Sequence, residues 1–102
     1  MLAKEFDEIV KNRLKLIKEI LLKKRAEYAP GGKDRLHNFK RAAAMLGTTQ
    51  EQALVGMWAK HVVSILDICD GQPAGREMID EKIGDAINYL ILLEAALKEE
   101  PK

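Results

Sequence analysis

The sequence predicts an all-α protein, a four-helix bundle-like protomer that forms a single helical domain over residues 1–102. Apolar residues recur with helical spacing in four segments, and stretches rich in Gly, Pro and Asp separate these segments. No segment alternates apolar and polar residues in the way a half-buried strand does. Apolar residues make up 47% of the chain and charged residues 32%, which suits one helical core with a solvated surface.

The first two helices are expected over residues 4–27 and 35–46. Pro30 and the two following glycines end the first helix, because the residue before a proline is biased away from helical geometry. Asp34 is expected as the N-cap of the second helix and Gly47 as its C-cap. The faces expected to point inward are Phe6, Ile9, Val10, Leu14, Ile17, Leu21 and Leu22 in the first helix, and Leu36, Phe39, Ala43 and Leu46 in the second.

The third helix is expected to begin with a capping box and to run to about Ile68. Thr48 would be its N-cap and Glu51 the third helical residue. Residues 70–75 form the clearest loop of the chain, and the fourth helix then carries residues 80–93. The inward stripe expected for the third helix is Leu54, Met57, Trp58, His61, Val62, Ile65 and Cys69.

Composition limits the partners and the compartment. The net charge of +1 gives no sign of nucleic-acid or anionic-membrane binding. No apolar run is long enough for a membrane span, and the acidic, amphipathic first ten residues are unlike a signal peptide. A single cysteine excludes an internal disulfide, so the expected location is the cytoplasm. Helices this long and apolar predict a homo-oligomer, a dimer or a tetramer, that completes the bundle.

A polar stripe on the fourth helix is the strongest functional signal. Glu81, Asp85 and Asn88 are spaced i, i+4, i+7, on a helix that is apolar on nearly every side from residue 86 to residue 97. Asp85 and Asn88 are therefore expected to face a cleft or an interface, where an unpaired carboxylate is costly. Glu81 and Asp85 can reach one Mg²⁺ ion. The alternatives are an ion pair, for instance with Lys60 or Lys82, and a solvated stripe.

Two further segments carry groups suited to a ligand. On the third helix, Lys60 can hold a phosphate or pair with a buried Asp, and His61 lies within the apolar stripe, where a packed core histidine is the alternative. The turn from Tyr28 to Asn38 brings Arg35 and Asn38 to a helix N-terminus that can receive an anion. A plain interhelical turn is the alternative there. The glycine pattern of a Walker-type phosphate loop is missing.

Residues 35–43, 52–65 and 81–90 resemble a small protein family common in bacteriophages and prophages of Gram-positive bacteria. The likeness extends from Glu27 to Leu97. That family carries no assigned activity, so the resemblance implies a bacterial host cytoplasm and a phage origin but no reaction.

More distantly, the layout is similar to the MazG-like all-α nucleoside triphosphate pyrophosphohydrolases. The resemblance implies helical protomers that form dimers or tetramers, with Mg²⁺ held by a Glu-x-x-Glu motif and a later Glu-x-x-Asp motif. Asp85 matches the final Asp of the second motif. Lys82 stands where that motif has Glu, and residues 52–68 contain no Glu-x-x-Glu.

Two hypotheses follow. In the first, the chain is a Mg²⁺-dependent nucleotide pyrophosphohydrolase with an incomplete ligand set. Its metal ligands are Glu81 and Asp85, and its substrate-binding residues are Lys60, His61, Arg35, Asn38, Tyr28 and Asn88. In the second, it is a non-catalytic helical oligomer that binds a nucleotide or a protein partner, with Lys60 paired to Asp85 and His61 packed beside them.

Overall fold

The computed structural model describes residues 1–23 and 34–100, and these are helical in four segments with no strand. Helix α1 spans Ala3–Lys18 and continues as a π-helical turn over Glu19–Lys23. Helices α2, α3 and α4 span His37–Leu46, Gln50–Cys69 and Arg76–Lys98. The expectation of an all-α chain with four helices is confirmed.

Helix α2 begins two residues later than expected. The Asp34 carboxylate accepts a hydrogen bond from the Leu36 N–H at 2.9 Å, which forms a turn before the helix rather than an N-cap within it. At the other end Gly47 is the expected C-cap, with φ of 68°. The Thr48 N–H donates to the Ala43 carbonyl at 3.0 Å and closes the helix end.

The capping box of α3 is shifted by one residue from its expected position. Thr49, not Thr48, is the N-cap: its Oγ1 accepts from the Gln52 N–H at 3.1 Å, and Gln52 Oε1 accepts from the Thr49 N–H at 3.0 Å. The reason lies in the preceding helix. Because the Thr48 N–H closes the end of α2, it is Thr49 that adopts the extended conformation of an N-cap.

Helices α3 and α4 form an antiparallel hairpin, and α2 covers one end of it. Gln50 near the start of α3 donates to Glu99 just after α4, at 3.1 Å, so the two helices run in opposite directions. The core lies at this end, where Leu54 is completely buried against Leu36 and Ala96. Phe39, Tyr89, Leu92 and Leu93 pack around these three residues.

Helix α1 is attached to the rest of the chain with little burial. It contains no buried residue. Its Arg13 side chain crosses α4 and donates to the Asp80 carbonyl at 3.2 Å. Gly84 makes this crossing possible, because a Cβ at that position would lie 2.7 Å from the guanidinium of Arg13.

Several apolar side chains expected to face inward are on the surface. In α1 these are Phe6, Ile9, Val10 and Leu14, followed by Leu22 in the π-helical turn; in α2 and α3 they are Leu46 and Cys69. Ile79, Leu90 and Leu97 of α4 are exposed as well. The hairpin has α2 against one end only, so the periodicity is helical but these faces are not covered by another helix within residues 1–23 and 34–100. Among the described residues, no helix is long and apolar enough to cross a membrane.

Candidate functional site

A pocket of about 170 Å³ lies where α2, α3 and α4 meet the π-helical turn that follows α1. The turn contributes Ile20 and Leu21 to the wall. The other lining residues are Arg35, Asn38, Phe39, His61, Asp85, Asn88, Tyr89 and Leu92. The wall thus combines apolar and aromatic side chains with a few polar groups, which is the usual composition of a small-molecule site.

Most of the residues expected to bind substrate line this pocket. These are Arg35, Asn38, His61 and Asn88, and Asp85, which was expected as a metal ligand, lies beside them. They come from α2, α3, α4 and the turn before α2, and the fold brings them together.

The remaining predicted site residues are placed differently. Lys60 is exposed on α3 and lies outside the pocket lining, although His61 beside it is part of the wall. Glu81 is exposed one helical turn before Asp85 and is also outside the lining. Tyr28 lies outside the described residues.

Asp85 faces His61 at the mouth of the pocket. Its Oδ2 atom lies 3.5 Å from His61 Nδ1, and the side chains keep 38% and 26% of their surface exposed. Asp85 lines the pocket, as expected for a residue that faces a cleft, and its carboxylate remains partly solvated. The alternative pairing with Lys60 is not formed, because among the described residues the side chain that Asp85 contacts is the His61 imidazole.

Three rings form an aromatic wall beside this pair. The Tyr89 ring stacks on the His61 imidazole with centroids 4.9 Å apart and planes at 27°. The Phe39 ring meets the Tyr89 ring edge-on, with the two centroids 6.0 Å apart. The stack fixes the imidazole between an aromatic face and a carboxylate, so His61 presents a defined edge to the pocket.

Asn88 is the buried polar residue of the predicted stripe. It is 8% exposed, and its Oδ1 atom is buried with no hydrogen-bond partner. In the described part of the chain, two other buried side-chain atoms share this state, Gln50 Oε1 and Trp58 Nε1, but neither residue lines the pocket. A buried acceptor without a donor is costly, so an unpaired acceptor in a pocket wall points to a donor supplied by a ligand.

The donor set of the pocket does not match a magnesium site. Mg²⁺ prefers several oxygen ligands in an octahedral arrangement. Asp85 is the one carboxylate in the lining, and its oxygen faces an imidazole. No group of three His, Cys, Asp or Glu side chains within residues 1–23 and 34–100 is placed to hold a metal ion.

An ion cluster holds the start of α2 against the end of α4, next to the pocket. Lys40 Nζ lies 2.9 Å from Asp34 Oδ2 and 2.9 Å from Glu99 Oε2. The hydrogen bond that Lys40 donates to Glu99, followed in size by the one to Asp34, raises the pKa of Lys40. The hydrogen bonds from Lys40 and Gln50 lower the pKa of Glu99. Because Asp34 and Lys40 flank Arg35 and Asn38 in the sequence, the cluster fixes the segment that carries these two pocket residues.

The apolar half of the site was not predicted from the sequence. Phe39 is expected there as a core residue, and Ile20, Leu21, Tyr89 and Leu92 are not singled out as site residues at all. A signal for Tyr89 was available, because it directly follows the one amide in an otherwise apolar helical run. Ile20 and Leu21 left no such signal, since a widened helical turn has no distinctive spacing of apolar residues.

Comparison with known proteins gives no relative from which a function can be transferred: no family model, no curated protein and no solved structure matches this chain.

Proposed function

We propose that the chain is a helical binding module for a small ligand that carries a planar, hydrogen-bonding ring and an anionic group, with nucleotides as the first class to test. The observation that carries this proposal is the buried, unpartnered Oδ1 of Asn88 in the pocket wall. A ring amine or amide N–H would supply the missing donor and remove the cost of burying that acceptor.

The aromatic wall supports a planar ligand. Tyr89, His61 and Phe39 present ring faces and edges to the same pocket. Stacking on such groups does not depend strongly on the identity of the ring, whereas the amide of Asn88 selects for a donor at one position. The rings would therefore provide affinity, and the amide of Asn88 would fix the orientation of the ligand.

The size and charge of the pocket support an anionic group that stays outside. A volume of about 170 Å³ is below the roughly 300–1,000 Å³ of sites that enclose a whole drug-sized ligand. The pocket therefore takes one ring system, and the rest of the ligand extends past its rim. Arg35 lies in the lining, and a guanidinium is well suited to phosphate or carboxylate groups.

Hydrolysis is not part of the proposal. Metal-assisted cleavage of a phosphoanhydride needs an ion that polarises the phosphoryl oxygens and activates water. The described lining offers one carboxylate for that ion, and Glu81 lies outside the pocket. The resemblance to MazG-like hydrolases therefore motivates nucleotides as test ligands, while the site chemistry supports binding rather than turnover.

The proposed module acts as a homo-oligomer. Every long helix exposes large apolar side chains, which monomeric proteins rarely collect into wide patches. Examples are Phe6, Ile9 and Leu14 on α1, Val63 and Leu66 on α3, and Leu90 and Leu97 on α4. Burial of these side chains between copies would supply the core that a single chain of this length provides only in part.

Isothermal titration with nucleoside mono-, di- and triphosphates tests the binding proposal, first with EDTA and then with Mg²⁺. We expect binding in EDTA, and at least a tenfold loss of affinity in Asn88→Leu, because the replacement removes the acceptor. Lys60→Ala is the matched control, since it removes an exposed charge one residue away from His61 without touching the pocket. Absence of binding in both buffers would refute the nucleotide class.

Two other outcomes are decisive. Equal loss of affinity in Lys60→Ala and Asn88→Leu would show that binding occurs by general electrostatic attraction outside the pocket. Release of pyrophosphate from a triphosphate, dependent on Mg²⁺ and lost in Asp85→Asn, would establish hydrolysis and overturn the assignment as a binding module.

A further inference from the structure

We infer that α1 is the surface on which two copies of this chain meet, with the two α1 helices packed antiparallel. The inference rests on the proposed self-association and specifies the surface and the geometry. Helix α1 is strongly amphipathic and buries none of its residues in its own chain. Leu2, Phe6, Ile9, Val10 and Leu14 follow one side of it and are 42–70% exposed.

The exposed area of the chain is larger than that of a compact monomer. A folded monomer of 11.5 kDa is expected to expose about 5,800 Å². This chain exposes 7800 Å², an excess of about 2,000 Å². A standard protein interface removes roughly 800 Å² from each partner, so the excess is more than enough for one stable dimer contact.

The dimensions of the chain agree with this estimate. The radius of gyration is 15.6 Å, whereas a compact domain of this length has about 13 Å. The long axis measures 48 Å against 28 and 22 Å for the other two. A second copy packed along α1 would cover a side of this elongated shape.

The charges of α1 favour a second copy of this chain as the partner that covers the α1 face. The first half of α1 has an excess of acidic residues, with Glu5, Asp7 and Glu8 against Lys4. The second half is basic, with Lys11, Lys15 and Lys18 in addition to Arg13, which is held by Asp80 of the same chain. Two such helices side by side in antiparallel orientation place each acidic half against a basic half, whereas a parallel pair places like charges together. The face is therefore self-complementary, as a two-fold interface must be.

The spacing of the apolar residues sets the register of the pair. With the two-fold axis at Val10, Phe6 lies opposite Leu14 of the second copy. A lipid surface is a less suitable occupant of the same face. The acidic first half of α1 would be repelled by anionic headgroups, and its apolar residues extend into that half.

A groove between α1 and α4 lies beside the α1 face, and most of the residues that line it are charged or polar. It has a volume of about 760 Å³ and runs between the first half of α1 and the start of α4. Ile9 and Ile79 line it, and both are exposed in the single chain. The same contact that pairs the α1 helices would cover the rim of this groove.

The oligomeric state is measured by light scattering after size exclusion, on the full chain. We expect a mass of at least twice 11.5 kDa for the wild type. Phe6→Glu should raise the dimer Kd by about a hundredfold or more, because the two-fold axis places the substitution twice in the interface. Met45→Glu is the matched control: Met45 is 85% exposed on α2, away from α1, and its replacement should leave the mass unchanged.

Cysteine cross-linking tests the orientation, in a Cys69→Ser background that removes the exposed native thiol. Val10→Cys should form a disulfide between copies under mild oxidation, because the two thiols lie at the axis. Leu2→Cys should not, because eight residues at 1.5 Å each on both sides of the axis separate its two copies by about 24 Å. In a parallel pair both variants would cross-link, which would overturn the antiparallel geometry.

The failures of the two proposals are distinguishable. A monomeric wild type at millimolar concentration overturns this inference together with the proposed self-association, and leaves ligand binding untouched. A dimer that survives Phe6→Glu with unchanged helicity overturns the α1 interface alone. Binding of the wild type, but not of Phe6→Glu, to vesicles of mixed neutral and anionic lipids would assign the face to a membrane and overturn the inference.

Discussion

Replacement of Asn88 by Leu should stabilise the ligand-free protein while it abolishes ligand binding. The Asn88 side chain is almost completely buried, and its Oδ1 atom has lost water without gaining a donor. Leu has the same branching at Cγ and no polar atom. The adjacent pocket of about 170 Å³ gives room for its methyl groups, so the substitution should not overpack the site.

The expected gain is about 1 kcal/mol in the free energy of unfolding. A buried acceptor left unpaired costs about 1–3 kcal/mol, and the replacement removes that cost. The difference in helix propensity between Asn and Leu adds at most about 0.5 kcal/mol. Removal of the amide also removes any contact that its other atoms make with water, and this loss offsets part of the gain. For a domain of about 100 residues, 1 kcal/mol corresponds to a rise of roughly 4–8 °C in Tm.

Thermal and urea unfolding followed by circular dichroism measure this gain. Wild type and variant are compared at one protein concentration, since self-association makes Tm depend on it. Glu81→Leu is the matched control, because it adds the same side chain to the same stripe of α4 at an exposed position. The control should change stability by less than about 0.5 kcal/mol.

The contrary result is well defined. A loss of 1 kcal/mol or more in Asn88→Leu, with a neutral Glu81→Leu, would show that the amide has a structural role in the folded chain. The unpaired acceptor would then not indicate a ligand. If Asn88→Leu is stabilised but keeps its nucleotide affinity, Asn88 Oδ1 does not accept a hydrogen bond from the ligand.

Three further predictions follow from the structure. Leu54→Ala should lower the free energy of unfolding by about 3 kcal/mol, measured by urea unfolding, because Leu54 is completely buried and its truncation leaves a cavity in the small core. Glu81→Gln should leave nucleotide affinity within about twofold of wild type in titrations with or without EDTA. A large Mg²⁺-dependent loss would instead show that the exposed carboxylate binds metal. The third prediction concerns pH. Hydrogen bonds from Lys40 and Gln50 lower the pKa of Glu99 below its ordinary 4.5 in the folded protein. The stability that these bonds contribute is therefore present above pH 4.5 and is lost as the pH falls through the lowered pKa. Urea unfolding between about pH 6 and about pH 3 should show a steeper loss of stability for wild type than for Glu99→Gln, and equal slopes would contradict the assignment of this cluster.

The ends of the helices show how far local sequence information extends. Gly47 was predicted correctly as a C-cap, because a left-handed residue at that position is a local preference of glycine. The next cap was wrong by one residue, although Thr48-x-x-Glu51 and Thr49-x-x-Gln52 both fit the capping-box pattern. The choice between them depends on which backbone N–H groups the closing turn of α2 uses, and the pattern alone does not contain that information.

In the predicted site, too, the local spacing of residues was predictable and their burial was not. The stripe from Glu81 to Asn88 is a property of helical spacing, and the structure keeps it as a stripe on α4. The depth of each member was not predicted: Glu81 is exposed, Asp85 is partly solvated beside His61, and Asn88 is buried. The depth follows from where α2 and α3 cover α4, and residues far apart in the sequence decide that.

The sequence by itself determined that the chain is helical, how many helices it has, and which polar residues share a face, because these features depend on contacts within a few residues. Only the tertiary structure decided that Arg35, Asn38, His61, Asp85 and Asn88 line one pocket with a π-helical turn as part of its wall. It also decided that the apolar side of α1 remains exposed. A periodic pattern records that a helix has an apolar face, but burial of that face depends on a neighbour, and the neighbour is fixed by the packing of the whole chain.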